Sequence, residues 1–239
     1  MRYNCKRLQN VRIGDNNMNA QIDETRAKIA MFGALMYERH LTDAGGGNIS
    51  ARVGDKICIT PRYSGQRRRW QLTPEDVLIC DLEGNKLEGD GDISREAKAH
   101  FKLLNEFKEV GSAVIHAHSR NTLVFCALSR PIPPVLEQTL KFGTIPVVEY
   151  APAHSDELAE NLAAAIRGNE DRVQKQAAAA LAPWHGVFVL GKDLDMAYDA
   201  VERIDTNAHI ILAAQTLGLD DALAEQQALM TETVTARKG

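Results

Sequence analysis

The sequence predicts an α/β fold, and three observations support that class. The chain has 239 residues, of which 44% are hydrophobic and 25% are charged. That length suits one large domain with its own core, or else two small ones, and the composition is that of an average globular protein. Amphipathic helical patterns alternate with short apolar strand patterns, and no repeat or low-complexity linker divides the chain.

The first half of the chain begins with a helical pattern and continues with strands. Residues 22–40 follow helical spacing, and the sequence "DAGGGNIS" ends that helix. "NISARV" and "KICITP" are predicted to form a hairpin that turns at Gly54 and Asp55. The basic stretch "PRYSGQRRRWQLTPED" is predicted to be a loop. "DVLICDLEGNKL" is predicted to form a strand, a turn and the start of another strand.

The second half alternates more regularly between the two kinds of element. Ser94 is predicted to cap a helix over residues 95–109, and "SAVIHAHS" is predicted to be a buried strand. "NTLVFCALS" follows as a helix and "GTIPVVEYAP" as a strand. "DELAENLAAAIRG" is a capped helix that ends at Gly168, "GVFVLG" a short buried strand, and residues 193–217 a long helix with Gly218 behind it.

Charge and hydropathy exclude several classes of partner. The formal net charge is −4, so no basic field favours nucleic acid or an anionic membrane. No apolar run reaches the roughly 18–20 residues that span a bilayer, and the polar N-terminus has no apolar signal core. We therefore expect a cytoplasmic protein. Its four cysteines form no CxxC pair and suit a reducing compartment as small hydrophobes or surface thiols; they are Cys5, Cys58, Cys80 and Cys126.

The domain boundaries follow from the same patterns. We expect residues 1–20 to be a flexible extension, with Met18 as an alternative start, and residues 21–219 to form the domain. Residues 220–239 are polar and helix-prone, and we expect them to form a C-terminal tail.

Two histidines in "AVIHAHS" indicate a metal site. Side chains two apart on a strand point to the same face, so His116 and His118 project together. His185 stands before a glycine and another apolar strand, where it can supply a third ligand. Three protein ligands with an open fourth position form a catalytic metal site, and Glu96, water or substrate can take that position. The alternative is a pair of buried histidines that only make hydrogen bonds.

The remaining histidines carry weaker signals. His100 lies one turn after Glu96 on the same helix face, where it either supports a ligand or packs. His154 precedes a helix cap and stays ambiguous. His40 ends a helix, and His209 lies within the long C-terminal helix, so both suit packing or surface positions.

Three segments before the histidine pair favour an anion. "GGGNIS", "TPRYSG" and "DISRE" each offer glycine amides or polar and cationic side chains. Ser94 and Arg95 stand at a predicted helix start, where free amides attract anions and a guanidinium can bind phosphate or carboxylate. Alternatively, these segments are a helix cap and ordinary glycine-rich turns. The three arginines of residues 67–69 either extend the pocket or form a solvated loop or oligomer contact.

In their order along the chain, "GNIS", "ITPRYSG", "SRE", "HAHS" and "WHG" resemble the class II aldolase/adducin family. The resemblance covers residues 22–217. It implies a three-layer αβα sandwich around a mostly antiparallel central sheet, and a homotetramer with active sites at subunit interfaces. It also implies that His116, His118 and His185 bind a divalent metal, zinc first, with manganese, cobalt or iron as alternatives.

The resemblance assigns further roles. Glu96 is implied to be the catalytic acid/base, and the substrate phosphate is implied to bind at four positions, which are Asn48, Ser64, Gly65 and Ser94. The chain departs from the family pattern in the longer "TPRYSG" loop, in Arg95 where a second serine is usual, and in Glu137 where fuculose-phosphate aldolase has a tyrosine. Arg95 favours a differently placed phosphate or a carboxylate. Glu137 is either a second acid/base that reaches a neighbouring subunit's site or a surface charge.

The expected function is therefore a metal-dependent lyase. It would cleave a small hydroxyketone or sugar phosphate by retro-aldol reaction through a metal-stabilised enediolate. The alternatives are a dehydratase or decarboxylase of the same fold that uses Glu137, and a non-catalytic interaction module like the adducin head domains. Three histidines and Glu96 argue against the last, since function follows sites rather than folds.

Overall fold

The computed structural model describes the backbone of residues 3–237 and the side chains of residues 17–237. Its centre is a seven-stranded sheet with the order β4-β3-β2-β1-β5-β7-β6, and each neighbouring pair of strands is antiparallel. The strands are β1 (Asn48–Val53), β2 (Lys56–Ile59), β3 (Leu78–Asp81), β4 (Lys86–Glu88), β5 (Ala113–Ala117), β6 (Ala177–Ala182) and β7 (Gly186–Gly191).

Helices cover both faces of the sheet, which confirms the predicted αβα sandwich. One face packs on α1, α4 and α7, and the other on α3, α5 and α6. The helices are α1 (Tyr3–Glu38), α2 (Ser64–Arg68), α3 (Ala97–Glu106), α4 (Arg120–Ala127), α5 (Asp156–Ile166), α6 (Glu170–Lys175), α7 (Leu194–Thr216) and α8 (Asp220–Ala236). None of them is long and apolar enough, over the part of the chain described, to cross a membrane.

Strand β5 lies near the middle of the sheet and is buried on both faces. Ala113, Ile115 and Ala117 join the core beneath α1 and α7, whereas Val114 joins the core beneath α3 and α5. Because side chains alternate along a strand, His116 projects to the α3 side. The sheet therefore presents His116 to the helix that begins beside Glu96.

Local signals located several elements correctly. The β1–β2 hairpin turns at Gly54, whose φ of 60° lies in the left-handed region. Ser155 caps α5 by accepting a hydrogen bond from the Leu158 amide, and Asp193 caps α7 through the Met196 amide. Gly168 and Gly218 follow α5 and α7 with positive φ.

Three local predictions were wrong. The basic loop contains α2 and a 3₁₀ helix at Pro74–Asp76. "GTIPVVEYAP" forms only isolated bridges at Ile145 and Val147, because Pro146 between them has no N–H for a ladder. Helix α3 starts two residues later than expected and ends at Glu106.

Strand β6 was missed altogether. Its sequence "AAAALA" has a strong helix propensity, which tertiary packing overrides. All six side chains are buried between the helix layers, where only small residues fit beside β7.

The two terminal segments are helical where the structure describes them. Helix α1 begins at Tyr3 and includes most of the expected extension, while residues 1 and 2 lie outside the described part. The expected tail forms α8, whose residues are not buried, and residues 238 and 239 lie outside the described part.

Candidate metal centre

Strand β5 and the residues after it bring the predicted histidine pair together. The Nε2 atoms of His116 and His118 lie 3.2 Å apart. The His116 ring is fully buried and stacks on Phe188, with ring centroids 4.1 Å apart. Its Nδ1 lies 3.1 Å from the carbonyl oxygen of Val187 and is the donor there. The Nε2 of His116 therefore keeps its lone pair for a ligand.

The third histidine comes from the turn between β6 and β7. Ala182 pairs with Gly186 across this turn, and His185 is the last residue before β7. One nitrogen from each of the three histidines lies within 4.8 Å of the others. A Cβ atom on Gly186 would lie 2.7 Å from the Ala117 carbonyl oxygen and 2.8 Å from the His116 ring, so only glycine fits there.

The glycine-rich loop before β1 supports His118. Asp43 Oδ1 accepts hydrogen bonds from the amides of Gly45 and Gly46, both at 2.8 Å. Its other oxygen, Oδ2, lies 3.5 Å from His118 Nδ1. Asp43 therefore links the loop to the far side of the His118 ring, and the sequence pattern gave no reason to select it.

The donor set fits a divalent cation. Burial lowers the pKa values of His116 and His118, and it lowers that of His185 to about 4. Near neutral pH the three imidazoles are therefore uncharged and can donate lone pairs. Two nitrogens on a tetrahedral zinc stand about 3.3 Å apart, as bonds of 2.0–2.1 Å require, and the His116–His118 separation matches that spacing. Among the described residues no other histidine, cysteine or carboxylate joins this cluster, which leaves a position open.

Glu96 lies next to the cluster at the start of α3. It is only 5% exposed, and burial raises its pKa to about 7, while the nearby backbone of His154 acts in the opposite direction. Its Oε1 lies 3.4 Å from His185 Nε2 and 2.7 Å from His154 Nδ1. Neither contact has hydrogen-bond alignment, and both Oε1 of Glu96 and Nδ1 of His154 are left without a partner.

His154 was not predicted to belong to the site. It has a φ of 70°, in the left-handed region that residues other than glycine rarely adopt. It precedes Ser155, the cap of α5, and only the packing of α5 against α3 brings it to Glu96. No local pattern in the sequence predicts the contact between His154 and Glu96.

The predicted anion-binding residues line one cavity with the histidines. Its volume is about 260 Å³. Asn48 Nδ2 donates to Ser94 Oγ at 2.8 Å, and Ser64 Oγ donates to the Pro61 carbonyl at 2.6 Å. The cavity brings together nine of the ten predicted site residues: Asn48, Ser64, Gly65, Ser94, Arg95, Glu96, His116, His118 and His185.

Two details of this region differ from expectation. Ser94 lies two residues before the assigned cap position of α3, Glu96, and its Oγ accepts only a long hydrogen bond, of 3.4 Å, from the Glu96 amide. The shorter bond to the Ser94 hydroxyl comes from Asn48, and it ties β1 to the segment before α3. Glu137, the tenth predicted residue, lies exposed on a 3₁₀ helix (Glu137–Phe142) and does not line this cavity.

His100 lies behind the cluster. Its Nδ1 is 2.7 Å from Ser50 Oγ, and its ring packs edge-on against Phe188, which stacks on His116. Burial lowers the pKa of His100 to about 3. It touches a neighbour of a predicted ligand but does not line the cavity.

Comparisons with known proteins agree with the resemblance. The sequence profile described as the class II aldolase and adducin N-terminal domain matches residues 27–212. An L-fuculose phosphate aldolase of Methanococcus maripaludis is 35% identical over 179 residues, which cover 74% of this chain and 89% of the relative. A 3-oxo-tetronate 4-phosphate decarboxylase of Haemophilus influenzae is 30% identical over 197 residues, covering 78% of this chain and 86% of the relative. A solved L-fuculose 1-phosphate aldolase superposes with a TM-score of 0.72 at 27% identity, covering 89% of this chain and 96% of the other.

Proposed function

The chain belongs to the class II aldolase and adducin family, and on that premise we propose that it is a divalent-metal-dependent lyase that cleaves a small phosphorylated hydroxyketone by a retro-aldol reaction. The observation that carries the proposal is the cluster of three neutral imidazoles with Glu96 beside it in one cavity. A structural interaction module has no need for such a cluster.

His116, His118 and His185 would hold the metal, and we propose zinc, with manganese, cobalt or iron as alternatives. When bound, a divalent cation supplies Lewis acidity that stabilises the enediolate charge developing as the carbon–carbon bond breaks. The Val187 carbonyl fixes the His116 tautomer. Gly46 and Gly186 pack so closely against the imidazole rings that a side chain at either position would displace them. The packing of the chain therefore orients the proposed ligands.

Glu96 is proposed as the acid/base. Its carboxylate is buried at the cavity wall beside the histidine cluster, where it can take a proton from a substrate hydroxyl. Burial also raises its pKa to about 7, which suits a group that must both accept and return a proton near neutral pH.

The substrate phosphate is proposed to bind in the same cavity as the histidine cluster. Polar groups of Asn48, Ser64, Gly65 and Ser94 line it, and Arg95 adds a positive charge. A phosphate bound there would position the carbon that reacts, so that binding energy away from the breaking bond serves catalysis.

We further propose a homotetramer with its active sites at subunit interfaces. An exposed aromatic pair supports this: Trp184, adjacent to His185, is 68% exposed, and its ring lies 5.1 Å from that of Tyr150, which is 55% exposed. Exposed aromatic pairs are typical of protein contact surfaces. Glu137 is exposed and away from its own cavity, as expected of a residue that serves a neighbouring subunit.

A decarboxylase or dehydratase of the same fold is the second candidate. The 30% identity to a 3-oxo-tetronate 4-phosphate decarboxylase supports it, as does a glutamate at position 137. Product analysis separates the candidates, because aldol cleavage releases a ketone phosphate and an aldehyde, whereas the others release CO₂ or water. Glu137→Gln should slow either alternative strongly.

The proposed chemistry can be tested without knowing the aldehyde. Metal-loaded protein incubated with dihydroxyacetone phosphate in D₂O should exchange one carbinol proton for deuterium, as seen by NMR, because the enediolate forms in either direction. His116→Ala should lose both metal and exchange, and Glu96→Gln should lose exchange but keep metal. His209→Ala, on the exposed face of α7, is the matched control. Full exchange by metal-free protein would exclude the mechanism.

A further inference from the structure

His154 occupies a turn position where glycine is usual. The Ser155 amide donates to the Pro152 carbonyl at 3.1 Å and closes a β-turn, in which only His154 has a positive φ, of 70°. A positive φ at the third residue is the type II pattern, which favours glycine or asparagine there. Strained backbone persists where the surroundings fix it, and it concentrates at functional sites. The imidazole, which a glycine would lack, is the part of His154 that the turn does not require.

One edge of the imidazole reaches Glu96. Its Nδ1 lies 2.7 Å from Oε1 of Glu96, and both atoms are buried without a hydrogen-bond partner. Buried polar atoms without a partner cost free energy, so each of them needs an explanation. These two are already at bonding distance and lack only alignment, which in catalytic sites often forms when the ligands bind. A turn of the carboxylate about its terminal bond, a soft torsion, can supply that alignment.

Glu96 lies between His154 and a proposed metal ligand. The same Oε1 atom is 3.4 Å from Nε2 of His185, and over residues 17–237 no lysine or arginine forms an ion pair with Glu96. The histidine cluster leaves one position open, and a divalent cation there attracts any nearby carboxylate. A carboxylate bound in that position would exclude the substrate and would no longer serve as a base. A group that keeps Glu96 out of the open position therefore has a catalytic benefit.

We propose that His154 is a positioning residue, which keeps the Glu96 carboxylate out of the open metal position by donating its Nδ1–H to Oε1. The packing of α5 against α3 sets the distance between the two side chains, because His154 precedes the cap of α5 and Glu96 begins α3. This inference rests on the proposed function and deepens it, since it assigns the residue that keeps the acid/base and the metal apart.

Two substitutions preserve the turn and change the imidazole. His154→Gly fits the positive φ and removes the side chain, whereas His154→Asn also suits the turn and keeps an N–H donor the same number of bonds from Cα. His40→Gly is the matched control, because His40 has a φ of 59°, is exposed and does not line the cavity. All three metal-free variants should melt no more than about 5 °C below the parent, because none of them strains the backbone further.

Deuterium exchange into dihydroxyacetone phosphate reports the work of the acid/base. On metal-loaded protein in D₂O, His154→Gly should exchange at least about tenfold more slowly than the parent, because a small misplacement of a reacting group costs that much or more. His154→Asn should exchange at an intermediate rate, and His40→Gly should exchange at the rate of the parent.

The visible spectrum of bound cobalt(II) reports whether Glu96 is a ligand, because the absorption depends on the number and kind of ligands. Glu96→Gln should leave the spectrum of the parent unchanged. His154→Gly should change the spectrum, since Glu96 then reaches the metal. The double variant, with both His154→Gly and Glu96→Gln, should return the spectrum to that of the parent.

Four results would each overturn the inference and leave the proposed function intact. They are exchange by His154→Gly at the rate of the parent, an unchanged cobalt spectrum in His154→Gly, and a changed spectrum in Glu96→Gln alone. The fourth is a melting temperature of His154→Gly more than about 5 °C below that of His40→Gly, which would make His154 a structural residue. A parent protein that neither binds cobalt nor exchanges deuterium would instead overturn the proposed function, and the inference with it.

Discussion

Gly46 lies against the ring of His118 with no space between them. A Cβ atom built on Gly46 would stand 1.9 Å from Cε1 and 2.2 Å from Nδ1 of that ring. The glycine loop therefore forms the back wall of the histidine cluster. Backbone at this distance holds the imidazole in one orientation, which a metal ligand requires.

Gly46→Ala should weaken metal binding, since the new methyl group must displace the His118 ring. The expected result is a loss of at least about tenfold in metal affinity, measured as bound metal after dialysis against a weak chelator. Gly45→Ala is the control, because a Cβ there meets only Asp43 Oδ1 at an ordinary 3.5 Å. Equal metal content in the two variants would contradict this account of the loop.

Asp43→Asn should weaken metal binding without loosening the loop. Asparagine keeps an oxygen for the Gly45 and Gly46 amides but replaces the carboxylate oxygen that lies 3.5 Å from His118 Nδ1. Groups that orient a histidine ligand typically change metal affinity by about 10–100-fold when lost. Competition with a fluorescent chelator measures the affinity. An unchanged affinity, with an unchanged melting temperature, would remove Asp43 from the site.

The sequence predicted the grouping of His116, His118 and His185 because its signals are local. The spacing of His116 and His118 on a strand is fixed by the period of two, and Gly186 marks the tight approach beside His185. The fold class followed from the same alternating patterns and from the order of motifs. These are properties of short segments, which one sequence displays directly.

What the sequence did not reveal depends on contacts between distant segments. His154 meets Glu96 only because α5 packs against α3, and Asp43 reaches His118 across about 75 residues of chain. Strand β6 was missed because its alanines favour a helix locally and become a strand only when β7 pairs with them.

Metal retention should extend to lower pH than free histidine would allow. The ordinary histidine pKa is 6.5, and burial lowers that of His185 to about 4 and shifts His116 and His118 in the same direction. Protons therefore compete for the ligands only as the pH falls well below 6.5. Metal content after dialysis between pH 7.5 and pH 4 should show its midpoint below pH 6. A midpoint at or above 6.5, with the fold intact by circular dichroism, would contradict the buried cluster.

His100 should make the fold sensitive to acid even without metal. The folded protein keeps this histidine neutral, because burial lowers its pKa from 6.5 to about 3. Its Nδ1 is paired with Ser50, and its Nε2 has no partner, so a second buried N–H would have no acceptor. The unfolded chain takes up a proton near pH 6.5, whereas the folded protein does not.

The sign of the effect follows from that difference. The stabilisation is fully present above pH 6.5 and is lost as the pH falls from 6.5 toward 3, at about 1.4 kcal/mol per pH unit for one proton. Urea unfolding of chelator-treated protein at several pH values gives the slope. His100→Asn, which can still bond Ser50, should reduce the slope by about one proton, while His209→Asn on the exposed face of α7 should not. His116, His118 and His185 add to the pH slope of the free energy of unfolding in the parent and in both variants, so the difference between the parent and His100→Asn isolates His100. Parallel curves for these two proteins would contradict the prediction, because they would show that His100 takes up its proton without cost in the folded state.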